Sequence, residues 1–166
     1  VRPKIDVSLS VDEFADIRGE GKEKMIVMIC VDDHNGMMFN HRRQSRDSAG
    51  QERVLRCSEN SRLWMNEYSS KLCSESKPDW LSVDPAFLDR AGSGEYCFVE
   101  DQDILPYEDE LESIILFQWN RSYPADFHFP ADILSHGWTM MESEEFEGSS
   151  HEKIIREVYN KDEENK

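Results

Sequence analysis

Residues 25–47 read MIVMICVDDHNGMMFNHRRQSRD, and this stretch decides the predicted fold. It begins with an uninterrupted apolar run, and an Asp-Asp-His-Asn-Gly turn follows directly. A short apolar run that ends in turn residues is typical of a strand buried on both faces. The stretch therefore predicts a central strand over residues 25–31 and a loop that closes at Asp47.

Strands and helices alternate along the chain beyond this loop. Apolar segments predict strands over residues 62–65, 96–99 and 113–119. Polar segments with a few apolar anchors predict helices over residues 47–58, from residue 68 to 72, and over residues 106–112. Two last segments, WTMMESEEF (138–146) and EKIIREVYNK (152–161), show the mixed alternation of an antiparallel pair. This order predicts a three-layer α/β domain with a mainly parallel central sheet and antiparallel C-terminal strands.

The segment SVDPAFLDRAGSG (82–94) carries the clearest helix signals. Asp84 is a typical N-cap, Pro85 suits the first helical position, and Gly92 suits the C-terminal stop. We therefore predict a helix between Asp84 and Gly92.

The chain has 166 residues, a length typical of one domain. We predict that this domain spans residues 25–161 and that residues 162–166 form an acidic tail. Residues 18–24, RGEGKEK, offer no apolar side chain and can be encoded by purines alone, as a ribosome-binding site before Met25 would be. We therefore predict that Met25 is the natural start and that residues 1–24 are a non-native extension. The alternative is a genuine N-terminal arm, which a native peptide covering residues 11–24 would establish.

The charge of the chain excludes some partners. Its formal net charge is −16 at pH 7, and the acidic residues are densest after residue 100. Nucleic acids and anionic membranes are bound by clustered Lys and Arg, so neither partner is expected. The four cysteines have no CxxC spacing and no apolar stretch is long enough to span a bilayer, which favours a cytoplasmic protein with reduced thiols.

Several kinds of catalytic motif are missing from the sequence. The five histidines form no HxH or HExxH pattern, so no metal site is predicted. GxGxxG, Walker A and GxSxG motifs are also absent, and Ser149-Ser150-His151 is interpreted as a bend between strands. Ligands of open α/β sheets bind at the carboxyl ends of the strands. We therefore expect residues 32–47, 66–68 and 100–103 to converge on one cleft.

With this order of elements, the chain resembles the dihydrofolate reductase family over about residues 25–161. MIVMICVDDHNGMMFN resembles the family's first strand and mobile loop, and SRLWMNEYSSKL its second strand and cofactor-binding turn. SVDPAFLDRAGSGEYCFVED resembles the helix and strand before the family's double glycine. DFHFPADILSHGW and the two final segments resemble its C-terminal strands.

The resemblance implies one catalytic residue and a set of substrate-binding residues. Asp47 falls where the family keeps the acidic group that binds the pterin ring and assists its protonation, and it is equally suited to cap the helix that follows. The predicted substrate-binding residues are Asp32, Gly36, Met37, Phe39, Arg42, Arg43 and Arg46. The arginines suit an anionic ligand, and the alternative is that they neutralise the acidic loops at Glu67 and at residues 100–103.

On the cofactor side, the chain departs from the family. Asn66 and Glu67 stand where the family has a glycine and a basic residue, and Glu100 and Asp101 stand where it has two glycines. A like charge within a few ångströms of a phosphate costs on the order of 1–4 kcal/mol. We therefore predict that the chain has lost ordinary NADPH binding and uses no cofactor. The positions expected to have lost the cofactor-binding role are Asn66, Glu67, Tyr68, Glu100 and Asp101.

Three functions remain open at this point. The first is a divergent member of this fold that acts as a small-molecule or protein-binding module, or as an enzyme with altered chemistry. The second is an NAD(P)H-dependent reductase of a pterin-like heterocycle whose phosphate contacts come from Arg42, Arg43 and Arg46. The third is an acidic inhibitor of a basic partner that uses residues 100–112, with binding that weakens steeply as salt rises.

Overall fold

The structure is a computed structural model that describes residues 24–75 and 77–162. Residues 1–23 of the predicted non-native extension and residues 163–166 of the predicted acidic tail lie outside the described residues. Within the described ranges, no helix is long and apolar enough to cross a membrane.

The described residues form ten strands: β1 (Met25–Val31), β2 (Gly36–Phe39), β3 (Arg42–Arg43), β4 (Leu63–Met65), β5 (Leu81–Val83), β6 (Tyr96–Phe98), β7 (Leu111–Gln118), β8 (Phe127–His128), β9 (Trp138–Phe146) and β10 (Ile154–Lys161). The α-helices are α1 (Ser48–Cys57), α2 (Glu67–Ser70) and α3 (Phe87–Arg90). Short 3₁₀ helices cover Lys71–Cys73, Leu105–Glu110 and Ala131–Ser135.

A seven-stranded sheet in the order β5-β4-β6-β1-β7-β10-β9 forms the centre of the domain. β1 runs parallel to both of its neighbours, β6 and β7, and β4 runs parallel to β5 and β6. β10 pairs antiparallel with β7 and with β9. The predicted fold class, a mainly parallel sheet with antiparallel C-terminal strands, is therefore confirmed. A small second sheet in the order β3-β2-β8 flanks it.

The apolar run of β1 divides the core into two layers. Successive strand residues point to opposite faces, so Val27 and Ile29 pack into one layer and Ile26 and Met28 into the other. The first layer includes Phe87 of α3, and the second includes Val54 of α1 and Ile154 at the start of β10. Both faces of β1 are buried, as the uninterrupted apolar run predicted.

The predicted helix between Asp84 and Gly92 is wrong in its extent. Only the single turn of α3 is helical, and the Asp84 carboxylate accepts from the N–H of Ala86 at 2.7 Å in a turn that precedes it. Ala91 ends the helix in an extended conformation, and the left-handed glycine of this segment is Gly94, with φ 75°. The predicted helix over residues 106–112 is likewise a 3₁₀ helix, and β7 begins at Leu111.

Candidate functional site

Asp32 organises the turn at the carboxyl end of β1. It is buried, and its carboxylate accepts from the N–H groups of His34 at 2.8 Å and Gly36 at 2.7 Å. It also accepts from the Gln44 side chain and from the N–H of Tyr123, both at 3.0 Å. Burial alone would raise the pKa of Asp32, but these hydrogen bonds outweigh it and hold the pKa below its ordinary value. Asp32 therefore fixes the loop, and its oxygens are already engaged.

Gly36 shows why this turn needs a glycine. A Cβ atom there would lie 2.6 Å from the Cβ of Ala125 and 2.6 Å from the side-chain nitrogen of Gln44. Its predicted substrate-binding role is untested, and close packing accounts for the residue.

Asp47 is the N-cap of α1, as its sequence position suggested. It lies in the interior, and its Oδ1 accepts from the N–H of Gly50 at 3.1 Å. The same oxygen accepts from the N–H of Ser149 at 2.9 Å and from its hydroxyl at 3.1 Å. Oδ2 accepts from the N–H groups of Ser150 at 2.7 Å and His151 at 3.0 Å, and from the His151 ring at 3.0 Å. The carboxylate therefore ties the start of α1 to the loop between β9 and β10.

These contacts determine the charge of Asp47. Burial would raise its pKa, but the hydrogen bonds from Ser149, His151, Ser150 and Gly50 outweigh burial and hold the pKa far below its ordinary value.

Beside the carboxylate lies a cavity of about 20 Å³, which is lined by Cys30, Asp47, Gly50, Phe98 and Trp119, among others. A cavity of this size holds one water molecule, far less than a two-ring heterocycle. The catalytic role of Asp47 remains a prediction, and the contacts seen are structural.

The sequence interpretation missed the side chains around His151. This residue is buried, and its ring stacks on Trp119 with centroids 4.5 Å apart. Its Nε2 faces the Tyr123 hydroxyl at 2.7 Å and the Ser45 hydroxyl at 3.2 Å. The predicted bend at residues 149–151 exists, but successive N–H groups in it bind a carboxylate. The run Gly-Ser-Ser before His151 was the available signal, because turns of small residues can aim consecutive N–H groups at one anion.

Arg43 and Glu100 form the closest contact between the predicted substrate side and the predicted cofactor side. The guanidinium makes a two-point pair with the carboxylate, with N–O distances of 2.8 Å and 2.9 Å, and Ser69 donates to Glu100 at 2.7 Å. The side chains of Arg43 and Glu100 are only 19% and 9% exposed. The Arg43 guanidinium also stacks over the Tyr68 ring, 4.3 Å from its centroid, and the backbone N–H of Arg43 donates to the Tyr68 hydroxyl.

Of the two other acidic residues on the cofactor side, Asp101 is hydrogen-bonded to Asn66 and Glu67 is exposed. Asn66 caps α2 by accepting from the N–H of Ser69, and its amide donates to Asp101 at 3.0 Å. Glu67 is exposed in the first turn of α2. The three predicted loops therefore do converge, but their side chains bind one another.

The other predicted substrate-binding residues lie in different environments. Met37 is buried in the core, whereas Phe39 is 46% exposed. Arg42 and Arg46 are exposed, and neither pairs with an acidic side chain of the described residues. Neutralisation of the acidic loops by arginine is thus found for Arg43 alone among the three. No group of three metal-binding side chains occurs in residues 24–75 and 77–162, and all four cysteines are free.

The Arg43–Glu100 pair is expected to contribute to stability beyond a surface ion pair, because both side chains are largely buried and hydrogen-bonded at two points. A double-mutant cycle of Arg43→Met and Glu100→Gln should give a coupling of roughly 1–2 kcal/mol in urea unfolding. The matched control is the exposed pair of Arg56 and Glu52, for which we expect at most about 0.5 kcal/mol. Equal couplings in the two cycles would contradict a special role for the pair.

Comparisons with known proteins identify the fold. Neither the protein-family models nor the curated protein sequences give a match to this chain. Among solved structures, the dihydrofolate reductase from Enterococcus faecalis complexed with NADP(H) and RAB-propyl is similar, with a TM-score of 0.63. The similarity covers 86% of this chain and 98% of that chain, at 8% sequence identity. The chain therefore has the dihydrofolate reductase fold, with a sequence far from that of this solved example.

Proposed function

We propose that this protein uses the dihydrofolate reductase fold to bind a small anionic ligand and that it does not bind NADPH in the manner of the family. The observation that carries the proposal is the two-point ion pair of Arg43 with Glu100. It occupies the loop that follows β6, where the family, by the resemblance, keeps glycine against the pyrophosphate. A dinucleotide there would have to break this pair and approach Glu100 and Asp101, at a cost on the order of 1–4 kcal/mol for each charge.

Two exposed arginines, Arg42 and Arg46, support an anionic ligand, although they line different openings. Arg42 and Arg46 are exposed and make no ion pair with the described residues, although the chain as a whole is strongly acidic. An opening of about 380 Å³, within the size range of ligand sites, is lined by Arg42, Gln44 and Tyr123. The Oε1 atom of Gln44 is buried and accepts no hydrogen bond from the described residues. An anionic ligand group would match the Arg42 guanidinium in this opening.

The second candidate function is reduction of a pterin-like heterocycle with an NAD(P)H cofactor. It is favoured by the free arginines, which are able to contact phosphates, and by the fold of a reductase whose solved complex contains NADP(H). Arg43 is engaged with Glu100, so Arg42 and Arg46 would carry the phosphates in this alternative.

Calorimetric titration of the full chain with NADPH, with and without dihydrofolate, tests the proposal. We expect no heat of binding with either compound. Dissociation constants below about 10 μM, roughly −6.8 kcal/mol, would overturn the proposal and establish the reductase alternative. Inorganic pyrophosphate serves as the anionic probe, and we expect it to bind.

A pair of charge-matched variants makes the result specific. Arg42→Ala/Arg46→Ala should abolish the heat seen with pyrophosphate, whereas Arg62→Ala/Arg90→Ala removes the same charge at other exposed positions and should preserve it. Absence of pyrophosphate binding to the unmodified protein would refute the anionic ligand, and equal loss in both variants would reduce it to a general charge effect.

A further inference from the structure

We propose that Ser45 is a nucleophile for acyl transfer, with His151 as its general base and Asp47 as the group that orients the imidazole. The substrate class is a small ester that carries an anionic group. This inference goes beyond ligand binding, and it rests on the proposed function only for the negative charge of the substrate.

The geometry is that of a hydroxyl, an imidazole and a carboxylate in a chain. His151 Nδ1 lies 3.0 Å from Asp47 Oδ2, and its Nε2 lies 3.2 Å from the Ser45 hydroxyl. Since the carboxylate is ionised, Nδ1–H donates to it, which leaves the lone pair of Nε2 directed at the hydroxyls. A nucleophile within reach of a base, with the base oriented by a third group, is the general pattern of an activated serine.

The imidazole is held more firmly than packing alone requires. Its backbone N–H and its ring nitrogen both bind the same oxygen of Asp47, and Trp119 stacks on its face. The side chains of His151 and Asp47 are 2% and 0% exposed. Hydrogen bonds from the backbone N–H groups to Asp47 would be enough to connect α1 to the β9–β10 loop. The imidazole ring in addition presents its second nitrogen to Ser45 and Tyr123.

Tyr123 gives the cluster a second hydroxyl. Its oxygen is 2.7 Å from His151 Nε2 and 3.3 Å from the Ser45 oxygen. The phenol is therefore placed to exchange a proton with the base while the Ser45 oxygen attacks. In the resting protein the Tyr123 hydroxyl donates a hydrogen bond to the lone pair of Nε2. Rotation of the phenol O–H frees that lone pair to accept from the Ser45 hydroxyl.

Two openings near the cluster have basic side chains on their walls. Ser45 itself lines the cavity of about 20 Å³ beside Asp47, and its neighbour Tyr123 lines the opening of about 380 Å³ that also contains Arg42. His151 lines a second opening of about 430 Å³, together with the basic Arg121 and Lys153 and the acidic Glu152. Arg42 and Arg121 make no ion pair with side chains of the described residues, so both are able to bind an anionic group of the substrate.

The step balances without a cofactor. The Ser45 oxygen forms a bond to the carbonyl carbon of the ester while its proton passes to Nε2 of His151. The bond between that carbon and the alcohol oxygen then breaks, and the alcohol leaves with the proton from His151. Water releases the acyl group from Ser45 by the same sequence in reverse, with His151 again taking and returning one proton.

The full chain treated with a biotinylated fluorophosphonate tests the proposal. This probe forms a bond between phosphorus and an activated serine oxygen and releases fluoride, and it needs no anionic recognition. Peptide mapping by mass spectrometry is expected to find the label on Ser45. Hydrolysis of 4-nitrophenyl acetate, followed in parallel, should show a burst of one nitrophenol per protein.

Variants distinguish a serine hydroxyl that is activated by His151 from one that is merely exposed. Ser45→Ala should abolish labelling, and Ser122→Ala, which removes an exposed hydroxyl beside Tyr123, should leave it unchanged. His151→Gln should slow labelling by about 100-fold or more, with circular dichroism as the check that it folds. If it does not fold, the map of the unmodified protein still decides. No label, or a label on Tyr123 or on another serine, overturns the proposal whatever the result with pyrophosphate.

Discussion

Replacing Asp47 with alanine is expected to lower the free energy of unfolding by about 3–5 kcal/mol. The reason is that both oxygens of this buried carboxylate are saturated by donors from α1 and from residues 149–151. Removing it leaves buried N–H groups and the Nδ1 atom of a buried imidazole without partners, and such groups cost more than the hydrogen bonds themselves contributed. Urea unfolding at pH 7, with an unchanged m-value, is the measurement.

The matched control is Asp33→Asn. Asp33 is exposed, and from the described residues its carboxylate accepts only a 3.3 Å bond from the Ser122 hydroxyl, so its replacement should change the stability by no more than about 0.5 kcal/mol. A cost for Asp47→Ala that is as small as that of the control would mean that the loop between β9 and β10 is held by other contacts.

The pH dependence gives the same variant a second readout. The pKa of Asp47 is depressed in the folded protein, so its contribution is fully present above its unfolded pKa of about 3.9 and is lost as the pH falls through the folded value. The unmodified protein should therefore lose stability as the pH drops below about 4. Asp47→Ala should lose less over the same range. Parallel pH profiles for the two proteins would contradict a depressed pKa at this position.

The fold class could be predicted from the sequence because parallel and antiparallel strands carry different patterns of apolar residues. The unbroken apolar run of β1 indicated a central parallel strand, and the mixed alternation of β9 and β10 indicated an antiparallel pair. The error at Asp84 arose because its side chain binds the N–H of Ala86, two residues on, and so forms a turn. Short polar side chains serve turns and helix caps equally well, and local sequence does not distinguish the two uses.

The site was less predictable because its contacts join distant parts of the chain. The convergence of the three loops followed from the strand order, but the pairing of Arg43 with Glu100 spans 57 residues and depends on exact side-chain geometry. His151 is 104 residues from Asp47. No spacing pattern in the sequence marks such a pair, so a motif search for local histidine or serine signatures passes over it.

Gly148→Ala is expected to lower the free energy of unfolding by roughly 2–3 kcal/mol, because the added Cβ would lie 2.5 Å from the His151 carbonyl oxygen and 2.6 Å from Asp47 Oδ2. Neither atom is free to retreat, since one is backbone and the other is held by three hydrogen bonds. Gly94→Ala is the control, since Gly94 has open space around it and only its left-handed φ opposes a side chain, at about 1 kcal/mol.

Urea unfolding of both variants, and of Gly148→Ala combined with Asp47→Ala, measures the clash directly. The two losses should combine to less than their sum, because the second change removes the oxygen that the new methyl group meets. Strict additivity, or a Gly148→Ala cost no greater than that of the control, would show that the loop moves away from α1 without loss of stability.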